Sequence, residues 1–181
     1  MEKARLEELY SEKIRPVLQK ELNLNNVMET PKLNKIVLNV GVKDAVSDSK
    51  ILQVIENVIM HIAGQKPVRT RARKSIAGFK LREDMQIGVK VTLRRKNMYE
   101  FLDRLINTAL PKVRDFRGVP PKLDGQGSYN LGVKDWSIFP EVDYGMSEKA
   151  YGLNITIHTS AKTDEHGLAL LKSFGMPFSA K

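Results

Sequence analysis

Apolar residues recur along this chain with two different periods. Between residues 4 and 20, Leu6, Leu9, Tyr10, Ile14, Val17 and Leu18 fall close to a helical period. Pro16 either kinks that helix or opens a second segment at its first position. Asn26–Glu29 reads as a short strand before a turn at Pro31, and a clear strand follows from Asn34 to Lys43. Ser47 and Asp48 are placed to cap a helix with an apolar face of Ile51, Leu52, Ile55, Val58, Ile59 and Ile62, which Gly64 ends. Further strands are predicted at Pro67–Arg71, Gln86–Arg95, Ser128–Val133 and Leu153–Ser160. A helix over Asn97–Leu110 stops at Pro111, and the glycines and prolines of residues 114–127 read as loop. Thr163, with Asp164 and Glu165 in the first turn, caps a last helix that ends near Gly175 and Pro177. The interleaved order predicts an α+β sandwich in which an antiparallel-rich sheet carries helices on one face. No linker is long enough to divide the chain, so residues 1–181 are expected to form one domain with a long basic loop at 72–85.

Successive strand residues point to opposite faces, so each strand separates into two sets. Ile36, Leu38, Val40 and Val42 go to the helix side, and Lys35, Val37, Asn39, Gly41 and Lys43 to the other. In the next long strand Ile87, Val89, Val91 and Leu93 go in, while Gln86, Gly88, Lys90, Thr92 and Arg94 go out. Near the C-terminus Leu153, Ile155, Ile157 and Thr159 go in, and Asn154, Thr156, His158 and Ser160 go out. The outward sets contain no carboxylate. A merely solvated sheet would mix Glu with Lys, because like charges on neighbouring strands repel. The outward sets also lack aromatic residues, so they are not built to stack unpaired bases. They suit folded RNA, met through its backbone and 2′-hydroxyls. Asn39 and Thr92 carry both donor and acceptor capacity, and Gln65, in the turn beside this sheet, can join them.

Charge sharpens that reading. The chain has 30 Lys and Arg against 21 Asp and Glu, a net charge of +9. Eleven of the basic residues and only Glu83 and Asp84 among the acids lie between Lys66 and Lys96, so this window carries the whole excess. That concentration is the footprint of a polyanionic partner. Within it, the loop Ala72–Met85 combines four cations with Ile76, Phe79 and Leu81, and a long loop of this kind between strands is more often functional than not.

Other chemistry is sparse. No cysteine is present, which excludes disulfides, thiolate metal sites and a cysteine nucleophile. His61, His158 and His166 match no metal-ligand spacing, and no cofactor is implied. Glu141 and Asp143 read as a solvated acidic turn. Asp124–Gly125–Gln126–Gly127 has the glycines of a phosphate loop but leads into a strand rather than a helix. A nucleotide-using enzyme built on that loop, and a free-standing RNA chaperone using the basic face, are the rival readings. No apolar run approaches the ~20 residues of a membrane span, and the charged N-terminus lacks the apolar core of a secretory signal. The chain is expected to be cytoplasmic.

The runs TPKLNKIVLNVGVKDAV (30–46), GQKPVRTRARKSIAGFKLRE (64–83), IGVKVTLR (87–94), PKVRDFRG (111–118), IFPEVDY (138–144) and GMPF (175–178) resemble bacterial large-subunit ribosomal protein five, over nearly the entire chain. The resemblance implies the family's α+β sandwich with an RRM-like antiparallel sheet and a polar face open for RNA, in a non-enzymatic, ribosome-bound protein of the central protuberance that binds 5S rRNA through its sheet face and neighbouring turns. That role carries over to Asn39, Gln65 and Thr92, with the outward cations Lys35, Lys90 and Arg94 beside them. It further implies contact of the 72–85 loop with P-site tRNA, through Arg73, Lys74, Ser75, Phe79, Lys80 and Arg82. Contacts with 23S rRNA and, across the subunit bridge, with small-subunit protein thirteen complete the implied partners. The chain departs from the family pattern at Gln126, where an arginine is usual, at Val119–Pro120–Pro121, and at Arg95–Lys96, where Gly-Glu is common.

Overall fold

The computed structural model of the chain describes residues 3–46, 48–142, 145 and 149–179. Five strands form an antiparallel sheet: β1 (Leu33–Gly41), β2 (Val68–Arg71), β3 (Gln86–Leu93), β4 (Tyr129–Val133) and β5 (Leu153–Thr159), in the order β2-β3-β1-β5-β4. The helices are α1 (Arg5–Leu9), α2 (Arg15–Glu21), α3 (Lys50–Ala63), α4 (Arg95–Arg104) and α5 (Asp164–Ser173). The expected α+β sandwich is therefore present. By compactness the chain falls into two units, one of Met1–Ile36, Leu93–Leu131 and Thr156–Lys181, the other of Val37–Thr92 and Gly132–Ile155.

In the second unit, α3 places Leu52, Ile55, Val58, Ile59 and Ile62 in the core, each fully buried. Each such side chain contributes about 1.5–3 kcal/mol of hydrophobic burial. Gly64 ends the helix at φ +63, a left-handed conformation that favours glycine. At the other end Asp48 Oδ1 accepts from the Lys50 amide at 2.8 Å, while Ser47 lies outside the described residues. In the first unit Pro16 opens α2, and a π-helical turn at Tyr10–Ile14 joins it to α1. The Arg5 guanidinium donates to Asp103 at 2.9 Å, tying α1 to α4. Tyr10 and Tyr99 pack on Phe174, with ring centroids 6.0 and 6.2 Å away.

Two expectations need correction. Asn26–Glu29 is not a strand: Val27–Glu29 is a 3₁₀ turn, nucleated by the Asn26 side chain accepting from the Met28 amide at 2.8 Å. The strand expected to reach Arg95 stops at Leu93, because Arg95 adopts φ +52. The helix that follows ends in a π-helical turn, Leu105–Ala109, and a 3₁₀ turn, Leu110–Lys112, carrying Pro111.

Gly88 fixes how closely β1, β2 and β3 approach. A Cβ there would lie 2.7 Å from the Val40 carbonyl oxygen and 2.8 Å from Thr70 Oγ1. The hydroxyl could rotate away, but the carbonyl belongs to the ladder and cannot. Gly88→Ala should therefore destabilise the fold by about 1–3 kcal/mol through overpacking, read as a lowered denaturation midpoint.

Candidate nucleic-acid interface

The alternation of burial along the strands matches the two sets of residues except at Gly88, assigned outward but buried. Ile36, Leu38, Val40, Val89, Val91, Leu93, Leu153, Ile155 and Ile157 are buried. On the other side Asn39 and Thr92 are half-buried and Lys90 is exposed. Ile87 alone among the inward positions of β1, β3 and β5 is only half-buried, at the start of its strand.

In the unit containing Val37–Thr92 these outward residues come together. β2 and β3 pair antiparallel with Val68 against Lys90 and Thr70 against Gly88. The Val42 amide donates to the Ile87 carbonyl at 2.9 Å, and the Cα of Gly41 lies 3.7 Å from the position of a Gly88 Cβ. Continued two residues along the ladder, that register sets Asn39 opposite Lys90. Gln65, in the exposed turn after α3, reaches back so that its Nε2 donates to the Thr92 carbonyl oxygen at 3.4 Å. Asn39, Gln65, Lys90 and Thr92 thus share one patch. Neither the Asn39 carboxamide nor the Thr92 hydroxyl makes a hydrogen bond within the protein among the described residues. Neither group is among the polar atoms sealed from solvent, so both stay open to hydrogen bonds from a partner.

The loop between β2 and β3 is a built structure. At its base the Ala72 amide donates to the Met85 carbonyl at 2.8 Å, and the Asp84 amide donates to the Ala72 carbonyl at 3.0 Å. Nearer the tip, Ile76 and Leu81 exchange hydrogen bonds of 2.9 and 3.1 Å around a 3₁₀ turn at Ala77–Phe79. This leaves Phe79 73% and Ile76 45% exposed. Arg73, Lys74, Lys80 and Arg82 are exposed along the same loop. Leu81 is half-buried, so only two of the three expected apolar side chains are presented to solvent. Ser75 also has a local task, since its hydroxyl accepts from the Glu83 amide at 3.0 Å.

Not every cation of the basic window is available to a partner. Arg69 donates to Glu56 of α3 at 2.8 Å and to Gln86 Oε1 at 3.1 Å, which makes it a strut between β2, β3 and the helix. Glu56 is one of several polar residues on α3, so only the tertiary docking reveals this pairing. Arg71 stands 3.9 Å from Asp84.

In the other unit Lys35 is half-buried on the outward side of β1, and Arg94 is exposed directly after β3. Beside Lys35, His158 faces the Ser128 hydroxyl across 3.4 Å. Burial first, and then the Lys35 charge, push His158 below the usual histidine range. The same unit disposes of the nucleotide reading. The Asp164 carboxylate, at the start of α5, accepts from the Gly125 amide at 3.0 Å and from the Gly127 amide at 2.9 Å. Asp124 accepts from the amides of Gln126 and Ser128, each at 2.9 Å, and those donors hold its carboxyl below the usual range. The amides that would cradle a phosphate are thus occupied by the protein's own carboxylates. Of the acidic turn, Asp143 lies outside the described residues.

Residues 26–82 match the family model described as ribosomal protein L5, and residues 86–178 match the model for the C-terminus of the same ribosomal family. The chain is 59% identical over 176 residues to the large ribosomal subunit protein uL5 of Geotalea daltonii, a match covering 97% of this chain and 98% of that one. It is 57% identical to the uL5 protein of Geotalea uraniireducens, with the same coverage, and 55% identical to that of Nitrosococcus oceani, covering 97% of each chain.

Proposed function

This chain belongs to the uL5 family of large-subunit ribosomal proteins, and from that premise we propose that it anchors 5S rRNA to the large subunit through the patch of Asn39, Gln65, Lys90 and Thr92. Membership makes it a structural, non-enzymatic constituent of the large ribosomal subunit, held on the cytoplasmic ribosome with ribosomal RNA among its partners. In the finer reading, Lys35 and Arg94 add phosphate contacts to 5S rRNA. The protein then helps attach that RNA to 23S rRNA in the central protuberance. The loop at 72–85 reaches P-site tRNA, and small-subunit protein thirteen meets the chain across the subunit bridge.

The observation that carries the 5S assignment is the pairing of two half-buried side chains, Asn39 and Thr92, that lack hydrogen-bond partners in the protein, with an exposed cation and no carboxylate on the strand positions around them. Polar groups of that kind are satisfied by base edges and 2′-hydroxyls, and the cation by phosphate. The loop reading rests on Phe79 and Ile76 exposed among Arg73, Lys74, Lys80 and Arg82. That mixture suits the stacked, phosphate-rich surface of a folded RNA.

The two roles separate by deletion. The Ile76–Leu81 bridge closes the tip independently of the loop's base. Removing Ser75–Lys80 should leave 5S rRNA affinity in a gel-shift titration within about twofold of the intact chain. It should also abolish the cross-link between this loop and P-site tRNA on reconstituted ribosomes. Loss of 5S binding in the deletion would refute the division of labour.

A further inference from the structure

Arg94, Arg95 and Lys96 form a run of three exposed cations where the chain leaves β3 and enters α4. We infer that Arg95 and Lys96 are additional phosphate contacts to 5S rRNA, beyond those made by the sheet face. The inference rests on the 5S-binding reading above and assigns it two residues that the sheet face does not include.

Three observations point this way. The side chains of Arg94 and Arg95 make no hydrogen bond or ion pair within the protein among the described residues, and the Lys96 side chain has only an exposed partner one helical turn away, Glu100 at 3.6 Å. The run therefore presents almost uncompensated positive charge. Its conformation also works against the fold: Arg95 sits at φ +52, a region that penalises any residue with a Cβ. Finally, no acidic residue stands in the first turn of α4 and no side chain caps it. Three cations at the positive end of a helix raise the energy of the folded chain, where Asp, Ser or Thr would lower it. Local stability favours glycine at position 95 and an acid or hydroxyl nearby, and the chain has neither. A polyanion lying against the run reverses the sign of the charge term, because each cation then neutralises a phosphate and releases its condensed counterion. RNA fits better than an acidic protein surface, since the preceding outward positions of the same strand are Lys90 and Thr92, already matched to phosphate and hydroxyl chemistry.

Stability and binding are therefore expected to move in opposite directions. In the full chain, Arg95→Gly with Lys96→Gln should leave the thermal midpoint unchanged or raise it. Affinity for 5S rRNA should fall roughly tenfold near 0.1 M salt, and the slope of log affinity against log salt should become shallower by about 1.5, as expected for two lost phosphate contacts. A control pair, Lys162→Gln with Lys172→Gln, lowers the net charge equally from other exposed positions and should change the slope little. The inference is overturned if the Arg95/Lys96 variant binds with unaltered affinity and slope, or if the control pair weakens binding as much. Both results leave the 5S reading intact. An unsubstituted chain that fails to bind 5S rRNA at all would instead remove that reading, and this inference with it.

Discussion

The affinity of this protein for 5S rRNA should fall about a thousandfold between 50 and 200 mM monovalent salt, the change expected when roughly six phosphates are neutralised. The number six comes from the side chains left available. Of the eleven cations between Lys66 and Lys96, Arg69 is committed to Glu56 at 2.8 Å and Arg71 lies 3.9 Å from Asp84. Arg73, Lys74, Lys80 and Arg82 belong to the loop proposed above to meet tRNA. Lys66, Lys90, Arg94, Arg95 and Lys96 remain, and Lys35 on β1 makes the sixth. Each is exposed or half-buried, and none of the six has a close, buried carboxylate to compete with phosphate. A gel-shift or filter-binding series across that salt range measures the slope directly. A flat response would mean that binding comes from neutral hydrogen bonds and packing, and that the basic window is a solvated surface.

How far the sequence foretells this structure depends on which interactions set each element. The face of α3 and its glycine stop follow from local spacing and from the φ +63 that glycine tolerates, so both are legible. The two faces of β1, β3 and β5 follow from alternation alone, which is why Asn39 and Thr92 could be assigned to one face, whereas the adjacency of β1 and β3 depends on the strand order of the folded sheet. The 3₁₀ turn at Val27–Glu29 was hidden because β-branched and apolar residues in a short run resemble a strand, while one Asn26 side chain decides the backbone. The π-helical turns at Tyr10–Ile14 and Leu105–Ala109 leave the apolar pattern nearly helical and so are invisible to it. Pairings made by docking leave no periodic trace at all. Arg69 with Glu56, Asp164 with the Gly125 and Gly127 amides, and Ser75 with the Glu83 amide each required the tertiary arrangement. The first two also changed the functional picture, by withdrawing one cation from the interface and closing the phosphate-like loop.

Replacing both Asn39 and Thr92 with Ala should weaken 5S rRNA binding by about 1–3 kcal/mol, a five- to 150-fold loss, while the thermal midpoint stays close to that of the intact chain. The first part follows from the number of hydrogen bonds at stake. Asn39 offers two donors and an acceptor, Thr92 one donor and an acceptor, and about two net bonds to RNA at roughly 1 kcal/mol each give the middle of the range. The second part follows from the absence of internal partners. Neither side chain hydrogen-bonds within the protein among the described residues, so truncation strands no buried protein group. Alanine is a poorer strand former than Thr, but over two sites that difference is small beside the binding effect. The Gln65 contact survives the change, because it is made to the Thr92 carbonyl, which alanine retains. Gln65→Ala in the double-mutant background then tests whether the turn reads RNA itself or only steadies the strand end. A further loss of similar size means a direct contact, and no further loss means support. The salt slope is the internal control. Asn39 and Thr92 are neutral, so their removal should lower affinity equally at every salt concentration and leave the slope unchanged. A double variant that binds normally while still folded would show that RNA does not lie on this face, whatever the slope of the intact protein.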